Sequence, residues 1–171
     1  PIRTTTLINF YYLMSNLKKI LIDKKNCKSV WFMRQAGRYL PEFREIRKNN
    51  LNFIKLCLNS ELSSEITLQP IKRFNVDSAI IFSDILMVPF ALGQKVEFVK
   101  NHGPILSSFN LNLFLNNDKI SFTQKLHPVY KAIEITRKKL NKKKSLISFI
   151  GAPWTLLIYM LGVKQNKNEL N

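Results

Sequence analysis

The sequence predicts an α/β fold, and three features point to it. Apolar runs of strand length at residues 30–33, 79–82 and 146–150 each stop abruptly at polar or glycine-bearing positions. Each run is followed by a loop and then by a stretch of helical character, the order that sets parallel strands beside crossover helices. Apolar residues make up 46% of the 171-residue chain and charged residues 22%, enough apolar surface for a core, which excludes a disordered or collagen-like polypeptide.

Taken in order, residues 7–22 predict a helix that ends among Lys18, Lys19, Asp23, Lys24 and Lys25. This opening segment lacks the basic start and small-residue cleavage site of a targeting sequence. The chain begins at Pro1 rather than Met, so an earlier start is expected. Val30, Trp31, Phe32 and Met33 predict a buried strand, and Arg34 to Pro41 a loop containing Gly37. Pro41 suits the first turn of a helix whose positive end would be met by Glu42 and Glu45. A second helix is predicted over 61–73, with Ser60 as its cap. A second buried strand at 79–82 ends in Ser83 and Asp84, and residues 95–99 alternate like a half-exposed strand. Residues 101–123 show little periodicity and predict a long loop. A helix over 128–140 runs into the basic residues Lys142, Lys143 and Lys144. The last strand, 146–150, leads through Gly151 and Pro153 into an apolar helix ending at Leu161. Neither repeat nor linker divides residues 1–171, which predicts a single domain.

The net charge of +16 comes from 27 basic and 11 acidic residues, with 20 lysines and 7 arginines. Two readings stand side by side. One is a general surface bias towards Lys, Asn and Ile; the other is a basic surface for nucleic acid or an anionic membrane. The lysines are dispersed, few aromatics interleave with them and no RNA-binding signature appears, which counts against the second. No apolar run reaches the ~18 residues needed to span a bilayer. Two cysteines, Cys27 and Cys57, exclude a disulfide scaffold and suit a reducing compartment. His102 and His127 lack metal-ligand spacing, and no phosphate-binding glycine loop is present.

In α/β folds ligands gather beyond the carboxyl ends of the strands. Arg34 and Arg38 follow the first predicted strand, Asp84 the second, and Pro153 to Tyr159 the last. Two arginines four apart, with Gly37 between them, can turn both guanidinium forks to one anion, or can be solvated loop charges. Asp84 can be a site carboxylate or the cap of a helix starting at Ile85. Tyr159 can reach a ligand or serve as a core residue with its hydroxyl satisfied.

Three blocks resemble the uroporphyrinogen decarboxylase family. The first is Val30-Trp31-Phe32-Met33-Arg34-Gln35-Ala36-Gly37-Arg38-Tyr39-Leu40-Pro41-Glu42-Phe43. The second runs from Thr67-Leu68-Gln69-Pro70 to Ala79-Ile80-Ile81-Phe82-Ser83-Asp84-Ile85-Leu86. The third is Gly151-Ala152-Pro153-Trp154-Thr155-Leu156 with Tyr159-Met160. The resemblance implies a (β/α)8 TIM barrel, cytoplasmic or plastid, that acts as a homodimer when full length. It implies decarboxylation of the four acetate side chains of uroporphyrinogen III to give coproporphyrinogen III, without a metal or organic cofactor and without nucleic-acid or membrane partners. Carried over by motif, Arg34 and Arg38 would bind substrate carboxylates and the Gln35, Ala36 and Gly37 backbone would line the site. Asp84 would accept the pyrrole N–H groups, and Tyr159 would reach a substrate side chain. A barrel of this kind takes roughly 250 residues or more, so residues 1–171 are expected to be its truncated N-terminal half, possessing no counterpart of the family's later serine or threonine and histidine. A corrinoid-linked methyltransferase barrel is the rival within the fold, and a basic RNA- or anion-binding module the rival outside it.

Overall fold

In the computed structural model, which describes residues 15–99 and 102–162, the chain opens with helix α1 (Asn16–Asp23). The Ser15 hydroxyl caps it by accepting the Lys18 N–H, and Lys24, in the left-handed region at φ 51°, ends it. Residues 7–14 of the predicted helix lie outside the described residues.

Residues 30–33 do not form the predicted buried strand. Val30 donates its N–H to the Asp77 carboxylate Oδ2 (2.7 Å) and accepts the Asp77 N–H (2.8 Å). A side chain takes the place of a backbone acceptor there, so the ladder does not propagate, and Val30 and Met33 stay 54% and 81% exposed.

Helix α2 (Pro41–Asn49) starts on Pro41 with Glu42 in its first turn, as the sequence predicts, while Glu45 falls beyond that turn; Arg47 and Lys48 lie in its last turn. The short α3 (Phe53–Cys57) is capped by Asn52. In α4 (Ser60–Phe74) the cap is Asn59, not Ser60: Asn59 Oδ1 accepts the Leu62 N–H at 3.0 Å, while Ser60 lies inside the helix and its hydroxyl donates to the Pro128 carbonyl. Strand β1 (Ser78–Ile80) follows, then α5 (Met87–Ala91).

Strand β2 (Val96–Val99) forms where the alternation of 95–99 predicts a strand, and it pairs antiparallel with β3 (Gly103–Leu106), in the register Val96 to Leu106 and Val99 to Gly103. The stretch expected to be a long loop holds β3, then α6 (Leu111–Leu115) and the start of α7 (Lys119–Lys139). Strand β3 was invisible locally because a partner strand, not internal alternation, defines it. Helix α7 begins nine residues before the predicted 128 because Asp118 accepts the N–H groups of Ile120 and Ser121, at 2.7 and 2.9 Å. Pro128, read as a helix start, sits inside the helix instead. Strand β4 (Ser145–Ile147) is shorter than predicted, and α8 (Pro153–Leu161) ends at Gly162 in the left-handed region.

Strands β1 and β4 are parallel, with Ser78 opposite Ser145 and Ile80 opposite Ile147. Asp77 stands at their entrance: its N–H bonds Val30 and its carbonyl accepts the Ser145 N–H at 3.0 Å. Beyond the strand ends, Ile81 still donates to the Ile147 carbonyl at 2.9 Å. Helix α4 packs on β1 and against α7, making the α/β layering the sequence predicts. The described residues form two two-stranded sheets. Among them, no strand pairs with the outer edge of β4; α1 lies against that strand, with Ser15 Oγ 2.5 Å from Ser145 Oγ, over a cavity of about 630 Å³.

Candidate active site

Because β1 and β4 run parallel, the segments that leave their carboxyl ends emerge on the same side of the sheet. Those segments carry Asp84 and residues 151–154 respectively. They touch: a Cβ placed on Gly151 would lie 3.1 Å from Ile85 Cβ and 2.6 Å from Leu156 Cδ2. A side chain at 151 would have to displace the Leu156 side chain and press on Ile85, so glycine suits this approach of the α8 entry to the Asp84 turn.

Asp84 is half-buried. Its Oδ1 accepts the Leu86 N–H at 2.8 Å and its carbonyl accepts the Met87 N–H at 3.2 Å, a local turn rather than the expected cap: α5 starts at Met87 and not Ile85, with Leu86 at its N-cap position and no side-chain cap bond. Asp84 lines a cavity of about 250 Å³ with Ser83, Phe122, Tyr130, Ser148 and Phe149. Burial pushes its carboxyl above the ordinary range, and the Leu86 N–H partly opposes that rise.

Gln35 is the one predicted site residue that is fully buried, at 4% exposure. Its side chain lies along β1: Nε2 donates to the Ser78 carbonyl at 2.8 Å, and Oε1 accepts the Ile80 N–H at 3.3 Å. It serves as a one-residue strand, occupying the β1 edge that residues 30–33 leave open. The Tyr39 hydroxyl donates to the Gln35 carbonyl, fixing the loop from the other side. Ala36 packs on the core around Leu40, Phe43 and Leu56, and Gly37 accepts the Leu40 N–H in the turn that opens α2.

Arg34 and Arg38 are exposed, and no carboxylate among the described residues pairs with either. Arg34 lines a cavity of about 320 Å³ with Phe32, Tyr39, Pro70, Phe74 and Val76, separate from the cavity that holds Asp84. The Arg38 carbonyl accepts Arg44 Nη1 at 2.9 Å, which holds the loop while leaving its own guanidinium available. Tyr159 is 40% exposed on α8 and lines neither cavity. The structure thus brings Asp84 beside the Gly151 turn, and sets the arginines and Tyr159 apart from it.

Reading the sequence missed Ser63 and Thr67, whose hydroxyls bond the Phe82 carbonyl and N–H two residues before Asp84. Their signal was two hydroxyl residues four apart in one helix. Among the described residues there is no group of three or more His, Cys, Asp or Glu side chains able to hold a metal, and no helix is long and apolar enough to cross a membrane.

Residues 23–171 match the family profile described as Uroporphyrinogen decarboxylase (URO-D). The chain belongs to the uroporphyrinogen decarboxylase family. It is 52% identical over 140 residues to the uroporphyrinogen decarboxylase of Orientia tsutsugamushi (strain Ikeda), covering 82% of this chain and 41% of that protein. For the uroporphyrinogen decarboxylase of Neorickettsia sennetsu the identity is 50%, with 82% of this chain and 42% of that protein covered. For that of Rickettsia conorii it is 45%, with 86% and 43% covered. The chain therefore spans less than half the length of the curated uroporphyrinogen decarboxylases it matches. Among solved structures, a methyltransferase from Methanosarcina mazei aligns with a TM-score of 0.59 at 14% identity, over 87% of this chain and 45% of that one. At that identity the likeness speaks for the α/β fold alone.

Proposed function

We propose that the protein carrying this chain removes carboxyl groups from the four acetate side chains of uroporphyrinogen III, giving coproporphyrinogen III for tetrapyrrole synthesis. The observation that carries this reading is Asp84: a half-buried carboxylate on a fixed turn beyond β1, lining a cavity. Each decarboxylation begins by protonating a pyrrole ring carbon, which spreads positive charge over the ring. The bond from the acetate methylene to its carboxylate then breaks, carbon dioxide leaves, and the electron pair neutralises the ring. Protonating the methylene carbon and losing the ring proton leaves a methyl group. An ionised Asp84 facing the pyrrole N–H groups stabilises the cationic ring electrostatically. Those N–H donors favour the charged carboxylate, opposing the upward push of burial.

Arg34 and Arg38, which pair with no carboxylate among the described residues, suit the remaining substrate carboxylates, which guanidinium groups grip bidentately. The Gln35, Ala36 and Gly37 backbone lines the same approach, and Tyr159 reaches a substrate side chain once the site is complete. On this reading the chemistry draws on these groups with no metal or organic cofactor.

We further propose that residues 1–171 form the first part of a single (β/α)8 barrel, with β1 and β4 as neighbouring staves. The whole protein is then a cytoplasmic homodimer, and its partner molecule is the polycarboxylate tetrapyrrole rather than nucleic acid or membrane. The parallel pairing of β1 and β4, with helices between them, supports this.

The test is uroporphyrinogen turnover by the full-length polypeptide carrying this segment. Asp84→Asn is expected to lower the rate by at least about 10²-fold, with the circular dichroism spectrum unchanged. Near-normal turnover in that variant overturns the reading.

A further inference from the structure

Between the sheet and Asp84 lie Phe82 and Ser83, and the main chain of Phe82 is held from outside the sheet. The parallel ladder ends with Ile81, which donates to Ile147. Phe82 comes next, and helix α4 takes over its main chain. Thr67 Oγ1 accepts the Phe82 N–H at 2.8 Å, and Ser63 Oγ donates to the Phe82 carbonyl at 2.5 Å. Thr67 has a single hydroxyl proton, and it is spent on the Ser63 carbonyl at 2.7 Å. Only lone pairs therefore face Phe82, which fixes the direction of the contact. Both hydroxyl residues are 1% exposed, so water cannot replace them.

The Phe82 ring is gripped as well. It meets Phe43 and Phe53 edge-on, with centroids 5.8 Å away in each case. Two residues further on, the Asp84 carboxylate turns back to the Leu86 N–H, and Ile85 lies so near Gly151 that a Cβ there would come to 3.1 Å from Ile85 Cβ. A carboxylate two residues from a held peptide has few soft dihedrals through which to wander.

We propose that Ser63 and Thr67 are positioning residues for Asp84, acting through the Phe82 main chain. This rests on the reading of Asp84 given above. Neither hydroxyl touches substrate; together they convert the rigidity of α4 into a fixed carboxylate. Capping a strand end and aiming Asp84 are separable roles, because capping alone concerns only Phe82.

The test compares Thr67→Val, Thr67→Ser, Asp84→Asn and the control Leu140→Ala in the full-length polypeptide. Leu140 belongs to a different core cluster from Phe82. Two quantities are read: hydrogen exchange at the Leu86 amide, and kcat against KM. Thr67→Val is expected to speed Leu86 exchange about tenfold and lower kcat on the order of 10²-fold, with KM within about twofold. Thr67→Ser, which keeps the hydroxyl, restores both, and Leu140→Ala loses stability without either effect. Faster exchange confined to Phe82, with kcat intact, overturns the proposal. If Asp84→Asn loses its rate while Thr67→Val keeps it, the positioning role falls and the reading of Asp84 stands. If Asp84→Asn turns over normally, the reading of Asp84 falls and the positioning role falls with it.

Discussion

Val30 and Asp77 exchange two hydrogen bonds, one through the Asp77 main chain and one through its carboxylate. This is the attachment of the segment before the Arg34 loop to β1. Asp77→Ala removes the side-chain half of the exchange at an exposed site, so the expected cost is modest, about 1 kcal/mol in urea unfolding. The local effect is larger. In a Trp154→Phe background, Trp31 emission shifts to longer wavelength as residues 30–33 come away; an unchanged spectrum would count against Asp77 as the tether.

Gln35→Ala leaves the Ser78 carbonyl and the Ile80 N–H without their partner. Each buried group left unpaired costs about 1–3 kcal/mol, so a marked fall in the urea midpoint is expected. Gln35→Glu is more instructive. The introduced carboxylate faces the Ser78 carbonyl and can donate there only when protonated, so its pKa in the folded state is raised. Stability is then best in acid and is lost as pH rises, a slope absent from the parent protein's Gln35.

Asp84 is held above its ordinary pKa by burial. A raised folded-state value means the ionised form is disfavoured by folding, so this group costs stability as pH rises through that value and costs nothing when protonated in both states. Asp84→Asn is expected to unfold at a higher temperature than the parent at pH 7, with the gap closing in acid. On the proposed reaction activity runs the other way, because that reaction calls for an ionised Asp84. The acid limb of kcat/KM is then expected above the usual aspartate range, and the limb of kcat lower, since the pyrrole N–H groups of the proposed substrate would favour ionisation.

Gly151→Ala drives a methyl group to 2.6 Å from Leu156 Cδ2 and 3.1 Å from Ile85 Cβ. Overpacking of this kind costs about 1–3 kcal/mol. Leu156→Ala opens the space, so the double variant is expected to be more stable than the sum of the two single losses. Simple additivity would show that the contact is relieved elsewhere.

The local chemistry of the chain made some features readable and hid others. Pro41 with Glu42 marked the start of α2, and the apolar run around Ala79 marked β1, because each signal lies within a few residues of the element it forms. Residues 30–33 misled because an apolar run carries no information about whether a neighbour's backbone or side chain will meet it, and here Asp77 offers a carboxylate. Pro128 misled because a proline also survives inside a helix, as it does in α7. Asp84, Arg34, Arg38 and Tyr159 were singled out from blocks of resemblance and from strand ends. The Ser63 and Thr67 contacts join positions 19 and 15 residues away from Phe82, a relation that no single window of sequence displays.

The outer edge of β4 has a consequence for the polypeptide in solution. Among the described residues no strand pairs with the outer edge of β4, which leaves that edge open to a further strand, the next barrel stave on the proposed reading or else another chain, and Phe149 and Ile150 just beyond it are 45% and 77% exposed. Lys18 and Lys142 line the cavity along that edge. A net charge of +16 over residues 1–171 opposes the edge-on approach of a second copy, and dissolved ions thin that repulsion over a screening distance of about 8–10 Å.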